Sequence, residues 1–270
     1  MTRTSPVVTL ATIDLSFHHA AAGIVIAALA RHGVRVDEIR RPHEGAFELL
    51  RDGTADMLCA AWLPGSHGAY FDAIADAFEP LSAMYAPYAL WGVPDYVPAD
   101  AVSSVADLTR ANVVERMTPL IQGIGPGAGI SRFSREIFAA YDLDAHGYRF
   151  ANGTLEQCVD AFEEAAARRA WVVVPLWRPQ YLHWRHAIRE LREPRGLLRG
   201  ADAATLVLRK SARERLPAAA VDALRQLRPG NAGLTRLDHL ISRDGLSPRE
   251  AGERYLRELA ARVSGGAVSR

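Results

Sequence analysis

Short β-branched runs alternate with segments of helical spacing, and this alternation constrains the fold more than any other feature of the chain. VVTLAT at residues 7–12 reads as a strand, Phe17 to Arg31 has helical periodicity, and Val34 to Ile39 reads as a second strand, a βαβ opening. The rhythm continues with a helix over 43–51, a strand at 56–60, a helix over 69–78 and an extended stretch over 81–93. Such alternation favours a mainly parallel sheet with helices on both faces. A Pro-, Asp- and Ser-rich stretch, VPDYVPADAVSSVADL at 93–108, breaks the pattern and predicts a crossing into a second lobe. That lobe should hold a Gly-rich segment at 123–129, helices over 131–141 and 155–168, a buried strand at 170–175 and a helix near 181–191. REPRGLLRG at 192–200 reads as the return crossing, followed by a strand at Ala203 to Leu208 and helices from Pro217 to about Val263. The expected organisation is therefore lobe one over 1–95, lobe two over 96–200, and a return strand with C-terminal helices of lobe one over 201–270.

Several function classes are disfavoured by composition. Thirty-two basic against thirty-one acidic residues leave a net charge of +1 with no basic stripe, so nucleic acid is not an expected partner. Cys59 and Cys158 are the only cysteines, too few for a disulfide framework, and both lie in apolar-periodic segments where a thiol packs as a small hydrophobe. No run approaches the about 18 to 20 apolar residues that span a bilayer. AAAGIVIAALA at 20–30 could imitate a secretory apolar region, but a strand-like segment and Asp14 precede it where a basic segment should be, so it reads as a core helix. On that reading the chain carries no export signal and is cytoplasmic as written.

Three segments carry candidate chemistry. In DMLCAAWLPGSHGAY (56–70) a buried strand ends at Trp62 and runs through a Pro-Gly turn to His67. Ligands bind at such strand ends, and an indole face suits a cation that has no hydrogen to donate, although a core-packed Trp is the alternative. WVVVPLWRPQYLHW (171–184) repeats the arrangement, with Trp177 placed in a turn before a helix. Two such rings, one per lobe, suggest an aromatic cage across a cleft. GIGPGAGI (123–130) opens a helix and should leave backbone N–H groups at its N-terminus for an anion such as a carboxylate, a ligand-free glycine turn being the alternative. It also spells G-x-G-x-x-A, but with a Pro inside and no good strand before it a dinucleotide site is not expected. His18 with His19, and His183 with His186, lack further ligands at metal spacing and read as solvated or core residues. Ser66 beside His67 lacks the elbow of a hydrolase nucleophile, and Glu163 with Glu164 reads as a solvated helix face. No cofactor, metal or catalytic residue is called for.

Together the three ordered segments resemble the substrate-binding proteins of glycine betaine, proline betaine and choline ABC transporters. The stretch 56–70 is similar to that family's strand followed by W-L-P-x-T-H, 123–130 to its G-I-D-P-G-x-G-I, and 177–181 to its W-x-P-H-W. The resemblance implies a two-lobed type II periplasmic-binding-protein fold that closes by hinge motion on a small quaternary-ammonium zwitterion. It implies Trp62 and Trp177 as cage walls, and His67 with the backbone amides of Gly123 and Ile124 as carboxylate donors. It further implies a membrane permease as partner and a periplasmic or extracytoplasmic setting.

The chain departs from the family pattern at two places. The first strand often ends in another Trp, where this chain has Ile13 or Leu15 in ATIDLSFHH; Phe17 is the expected substitute, with Tyr85 or Tyr88 as further candidate rings. Loss of one cation–π wall is worth on the order of 1 to 2 kcal/mol, about ten-fold in affinity. Gly125 stands where the family has an acidic residue. The rival expectation is an amine- or amino-acid-processing enzyme of the same architecture with His67 as general base.

Overall fold

The computed structural model describes residues 5–266, with side chains through residue 262. Contacts divide the chain into two units, one formed by residues up to Ala86 and from Ala203 onward, the other by Pro87–Asp202.

The first unit contains β1 (Val7–Ile13), α1 (Ser16–Ala30), β2 (Arg35–Arg41), α2 (His43–Arg51), β3 (Met57–Leu63), α3 (Gly68–Phe71) and β4 (Phe78–Tyr85). The second contains β5 (Tyr88–Pro94), α4 (Ala111–Val114), β6 (Leu120–Gln122), α5 (Gly129–Ala140), β7 (Arg149–Ala151), α6 (Leu155–Arg168), β8 (Val174–Arg178), α7 (Leu182–Arg185) and β9 (Ile188–Glu190). The chain then returns to the first unit as β10 (Ala203–Arg209), α8 (Ala218–Arg225), α9 (Gly230–Ser242) and α10 (Pro248–Gly266).

In the first unit the strand order is β2-β1-β3-β10-β4. β1 is parallel to β2 and β3, and β10 runs antiparallel to β3 and β4, so a mainly parallel sheet receives one returning strand. β3 is buried along nearly its whole length, as expected for a central strand covered on both faces. α1 is apolar almost all round because it is enclosed: it packs on β3 and against α9 and α10. The α1–α10 crossing is backbone on backbone. A Cβ at Gly23 would lie 1.9 Å from the Pro248 carbonyl oxygen, and one at Gly252 would lie 2.0 Å from the Gly23 oxygen. The apolar stretch at 20–30 is thus a core helix whose glycine permits close helix packing.

The second unit has a three-stranded sheet of order β8-β5-β9 and a parallel β6-β7 pair, with α5 and α6 packed on β8. α6 begins at a capping box: the Thr154 hydroxyl accepts from the Gln157 N–H at 3.2 Å, while the Gln157 side chain accepts from the Thr154 N–H at 2.8 Å. The loop at 93–108, expected to be the crossing, lies inside this unit. The reason is pairing: β5 already belongs to the sheet with β8 and β9, and the Arg189 guanidinium donates to the carbonyls of Val97 (2.7 Å) and Val102 (2.5 Å), tying the loop to β9. The contact boundaries fall at Ala86/Pro87 and Asp202/Ala203. The strand expected at 170–175 begins at Val174 and extends to Arg178, because β5 pairs with it through Tyr88↔Arg178. Among the described residues no helix is long and apolar enough to cross a membrane.

Candidate functional site

In the first unit the site grows from the end of β3. Trp62 and His67 close the intervening turn by a reciprocal pair: the His67 N–H donates to the Trp62 carbonyl at 2.8 Å, and the Trp62 N–H donates to His67 Nδ1 at 2.9 Å. Accepting that bond fixes the neutral tautomer with the proton on Nε2, so His67 presents Nε2–H as a donor. The imidazole stacks on the Trp62 indole with centroids 5.9 Å apart and meets the edges of His43 and Phe47 at 5.4 and 5.3 Å. The indole itself is oriented by a hydrogen bond from Nε1 to the Tyr85 hydroxyl at 3.0 Å, whose ring stands edge-on at 6.2 Å. Burial pushes the Tyr85 phenol far up, so it stays protonated at neutral pH.

The absent first-strand Trp is resolved here. Ile13 and Leu15 join the apolar core with Phe47, Leu58 and Phe71, so neither presents a ring surface. Phe17, from the first turn of α1, lies 5.3 Å from Trp62. Sequence reasoning assigned His18 to solvent or core and missed its setting. It is buried within the same cluster, 4.5 Å from Phe17, 5.6 Å from Trp62 and 6.2 Å from His67. Burial, then the neighbouring His43 and His19, hold its pKa well below the usual imidazole value, against a hydrogen bond to the Cys59 backbone. The signal that could have found it is its position beside Phe17 at a helix start that follows the C-terminal end of a parallel strand.

In the second unit Trp177 lies within β8, paired with Ala89, and is 1% exposed. This corrects the turn placement expected from sequence; the antiparallel partner β5 extends the strand past Pro175. The Trp177 carbonyl meets His183 Nε2 at 3.1 Å, and burial depresses the His183 pKa to about 4. Gln180, three residues beyond Trp177, is fully buried.

The Gly-rich segment follows a strand after all, the short β6, and leads into α5, whose N-terminus carries no side-chain cap. The Gly123 N–H is already committed, donating to the Ala151 carbonyl at 2.8 Å. A Cβ there would sit 2.8 Å from the Phe150 ring, so this glycine serves close packing. The Ile124 carbonyl accepts from the Ser131 hydroxyl at 3.0 Å, which folds the segment onto the first turn of α5.

The remaining candidates have structural roles. Cys59 and Cys158 are free and buried, one in each unit, and burial pushes the Cys158 thiol up to about 12. Glu163 bridges α6 and α7 through Arg185 and His186, each at 3.2 Å, so it is not simply a solvated face. Tyr88 donates to Glu190 at 3.0 Å on the β5–β9 side of the second unit. Among the described residues no three His, Cys, Asp or Glu side chains are grouped to hold a metal.

Residues 6–258 match the family OpuAC, the substrate binding domain of the ABC-type glycine betaine transport system. The chain belongs to that family. The OpuAC family is a solute-binding component of ABC transporters, not an enzyme, which removes the general-base alternative for His67. Solved structures share the fold. Lactococcal OpuAC in its closed-liganded conformation with glycine betaine superposes with a TM-score of 0.81 at 22% identity, covering 96% of this chain and 98% of that one. The glycine betaine, L-proline-binding protein ProX from Borrelia burgdorferi gives 0.80 at 18% identity over 93% of each chain. An ABC-transporter choline binding protein in complex with choline gives 0.80 at 14% identity, covering 96% of this chain and 90% of that one. No curated protein matches the chain.

Proposed function

We propose that this OpuAC-family chain holds a small quaternary-ammonium solute of the glycine betaine class between aromatic faces and hands it to an ABC permease. Trp62 and Phe17 of the first unit and Trp177 of the second receive the methylated ammonium head. A carboxylate is taken by His67 Nε2–H, and by the Ile124 amide with the uncapped start of α5. Gly123, whose N–H is committed to Ala151, acts here by steric allowance rather than as a donor.

The observation that carries this reading is the Trp62–Phe17–His67 cluster. Rings packed 5.3 and 5.9 Å from one indole, whose Nε1 is anchored by Tyr85, make a pre-oriented electron-rich surface beside a neutral donor. A tetraalkylammonium head donates no hydrogen bond, and facing π systems offer electrostatic attraction without needing one.

The test compares glycine betaine with 3,3-dimethylbutanoate, the same shape with carbon in place of the charged nitrogen. Cation–π attraction of about 0.5 to 2 kcal/mol per ring, over two or three rings, predicts that the carbon analogue binds at least about five-fold more weakly. Equal affinity would reduce the cluster to a hydrophobic pocket and refute the cage.

A further inference from the structure

Three imidazoles gather at the proposed cage wall of the first unit, and only His67 has a role in the reading above. His18 is 1% exposed, with its ring 4.5 Å from Phe17, 5.6 Å from Trp62 and 6.2 Å from His67. His43, from the start of α2, meets His67 at 5.4 Å. The His18 ring bonds to the Cys59 backbone in a way that favours the protonated ring, and its Nδ1 has no partner among the described residues. Nε2 therefore donates to the Cys59 carbonyl, and in the neutral ring Nδ1 holds a buried lone pair.

A second proton can go only to Nδ1. It finds no acceptor there among the described residues, so the charge stays on the ring. That ring lies within the about 6 Å over which an aromatic face attracts a cation. An imidazolium at His18 is thus a cation of the protein's own, set against the indole and phenyl faces assigned to the ammonium head.

The surrounding groups do not neutralise it. The ionisable groups acting on His18 are His43 from α2 and His19 beside it on α1, both bases. The carboxylates that act on its neighbours are engaged: Asp14 pairs with His19 at 2.9 Å, Glu38 of β2 pairs with Arg40 at 2.9 Å, and Asp238 of α9 accepts from the Ser242 hydroxyl at 3.2 Å. On the other helices packed against α1, Asp222 of α8 pairs with Arg225 and Glu258 of α10 with Arg236. Burial keeps Cys59 of β3 and Tyr85 of β4 protonated. Burial first, then His43 and His19, hold His18 neutral at neutral pH, so its charging belongs to the acid range.

We propose that His18 determines affinity at the cage: neutral, it extends the aromatic face beside Trp62 and Phe17, and protonated, it becomes an internal competitor for the cationic solute. This rests on the quaternary-ammonium reading given above. Proton and solute compete for one cluster, so affinity falls as the pH falls.

The experiment is calorimetric titration of the whole chain from pH 7.5 to 4.5 with choline and with 3,3-dimethylbutan-1-ol, its uncharged carbon isostere, repeated for His18→Gln and His18→Phe. Neither ligand titrates in this range, and acid loosening of the fold weakens both alike, so the ratio of their affinities reports charge. A unit charge 5.6 Å from the indole is worth about three-fold even at the dielectric of water, and one proton limits the change to about ten-fold per pH unit. The wild-type preference for choline over the alcohol should therefore fall at least about three-fold across the range. The ratio should stay constant in the variants. His18→Gln removes ring and charge, His18→Phe keeps a ring without the charge, and either serves if circular dichroism shows the other unfolded. A wild-type ratio independent of pH, or a fall that persists in a folded variant and so belongs to His43 or His67, overturns the inference and leaves the cage standing. Folded wild type that binds choline no more tightly than the alcohol at pH 7.5 overturns the cage and this inference with it.

Discussion

The Tyr85 hydroxyl is the one polar anchor observed on the Trp62 indole, and Tyr85→Phe removes it without making a cavity. Trp62 is 8% exposed and Tyr85 4%, so the Nε1–H left behind has almost no access to solvent. An intact neutral hydrogen bond contributes about 0.5 to 1.5 kcal/mol, but stranding a buried donor costs about 1 to 3 kcal/mol. We therefore expect Tyr85→Phe to lower unfolding stability by about 1 to 3 kcal/mol, seen as a lower urea midpoint at unchanged slope. Ligand affinity should fall with it by roughly three- to ten-fold, because the plane of the cage wall is no longer fixed. Because the Tyr85 phenol is held far above its usual pKa, the difference between variant and wild type should be flat from pH 6 to 9. A Tyr85→Phe protein with wild-type urea midpoint and wild-type affinity would refute the anchoring role.

Three further outcomes are expected. Gly23→Ala forces α1 and α10 apart, since the new methyl would lie 1.9 Å from the Pro248 oxygen; a loss of about 2 to 3 kcal/mol in chemical denaturation is predicted, and wild-type stability would contradict the close crossing. Gly123→Ala should destabilise through Phe150, with the wild-type midpoint largely restored when Phe150→Leu is added; no restoration would point instead to the glycine's backbone. His183, with an ordinary value of 6.5 and a folded value of about 4, binds its proton more readily in the unfolded chain. Its contribution is thus complete above pH 6.5 and is lost as pH falls toward 4, by about 1 to 3 kcal/mol, and urea midpoints of His183→Gln should decline less over that window than those of wild type.

The parts of this molecule readable from sequence are those in which a local pattern has one physical solution. The apolar runs at β1, β3 and β10 became strands of one sheet, and the apolar run of α1 became a core helix, because burial on several sides demands apolar residues throughout. Trp62 and His67 were legible because a strand end, a turn and a short helix bring them together within one continuous segment. Phe17 could be anticipated only as a substitute for a missing ring, since its approach to Trp62 depends on how the loop after β1 turns. Long-range pairing stayed hidden. Nothing local to Tyr88–Pro94 says that β5 joins β8 and β9, and that pairing moves the unit boundary and carries Trp177 into a strand. The commitment of the Gly123 N–H to Ala151 likewise arises from β7, which is distant in sequence. Gln180 gave no sequence signal because its meaning lies in burial without a side-chain partner among the described residues, a property of three-dimensional surroundings alone.

The central claim is that indoles from both units hold a quaternary ammonium solute, and calorimetric titration of wild type, Trp62→Ala and Trp177→Ala with choline and glycine betaine tests it most directly. The account predicts saturable binding at one site in wild type and at least about ten-fold weaker binding in each folded variant, as loss of a cation–π wall and its buried area requires. Undiminished affinity in either variant, or no binding of either solute to folded wild type, would contradict it.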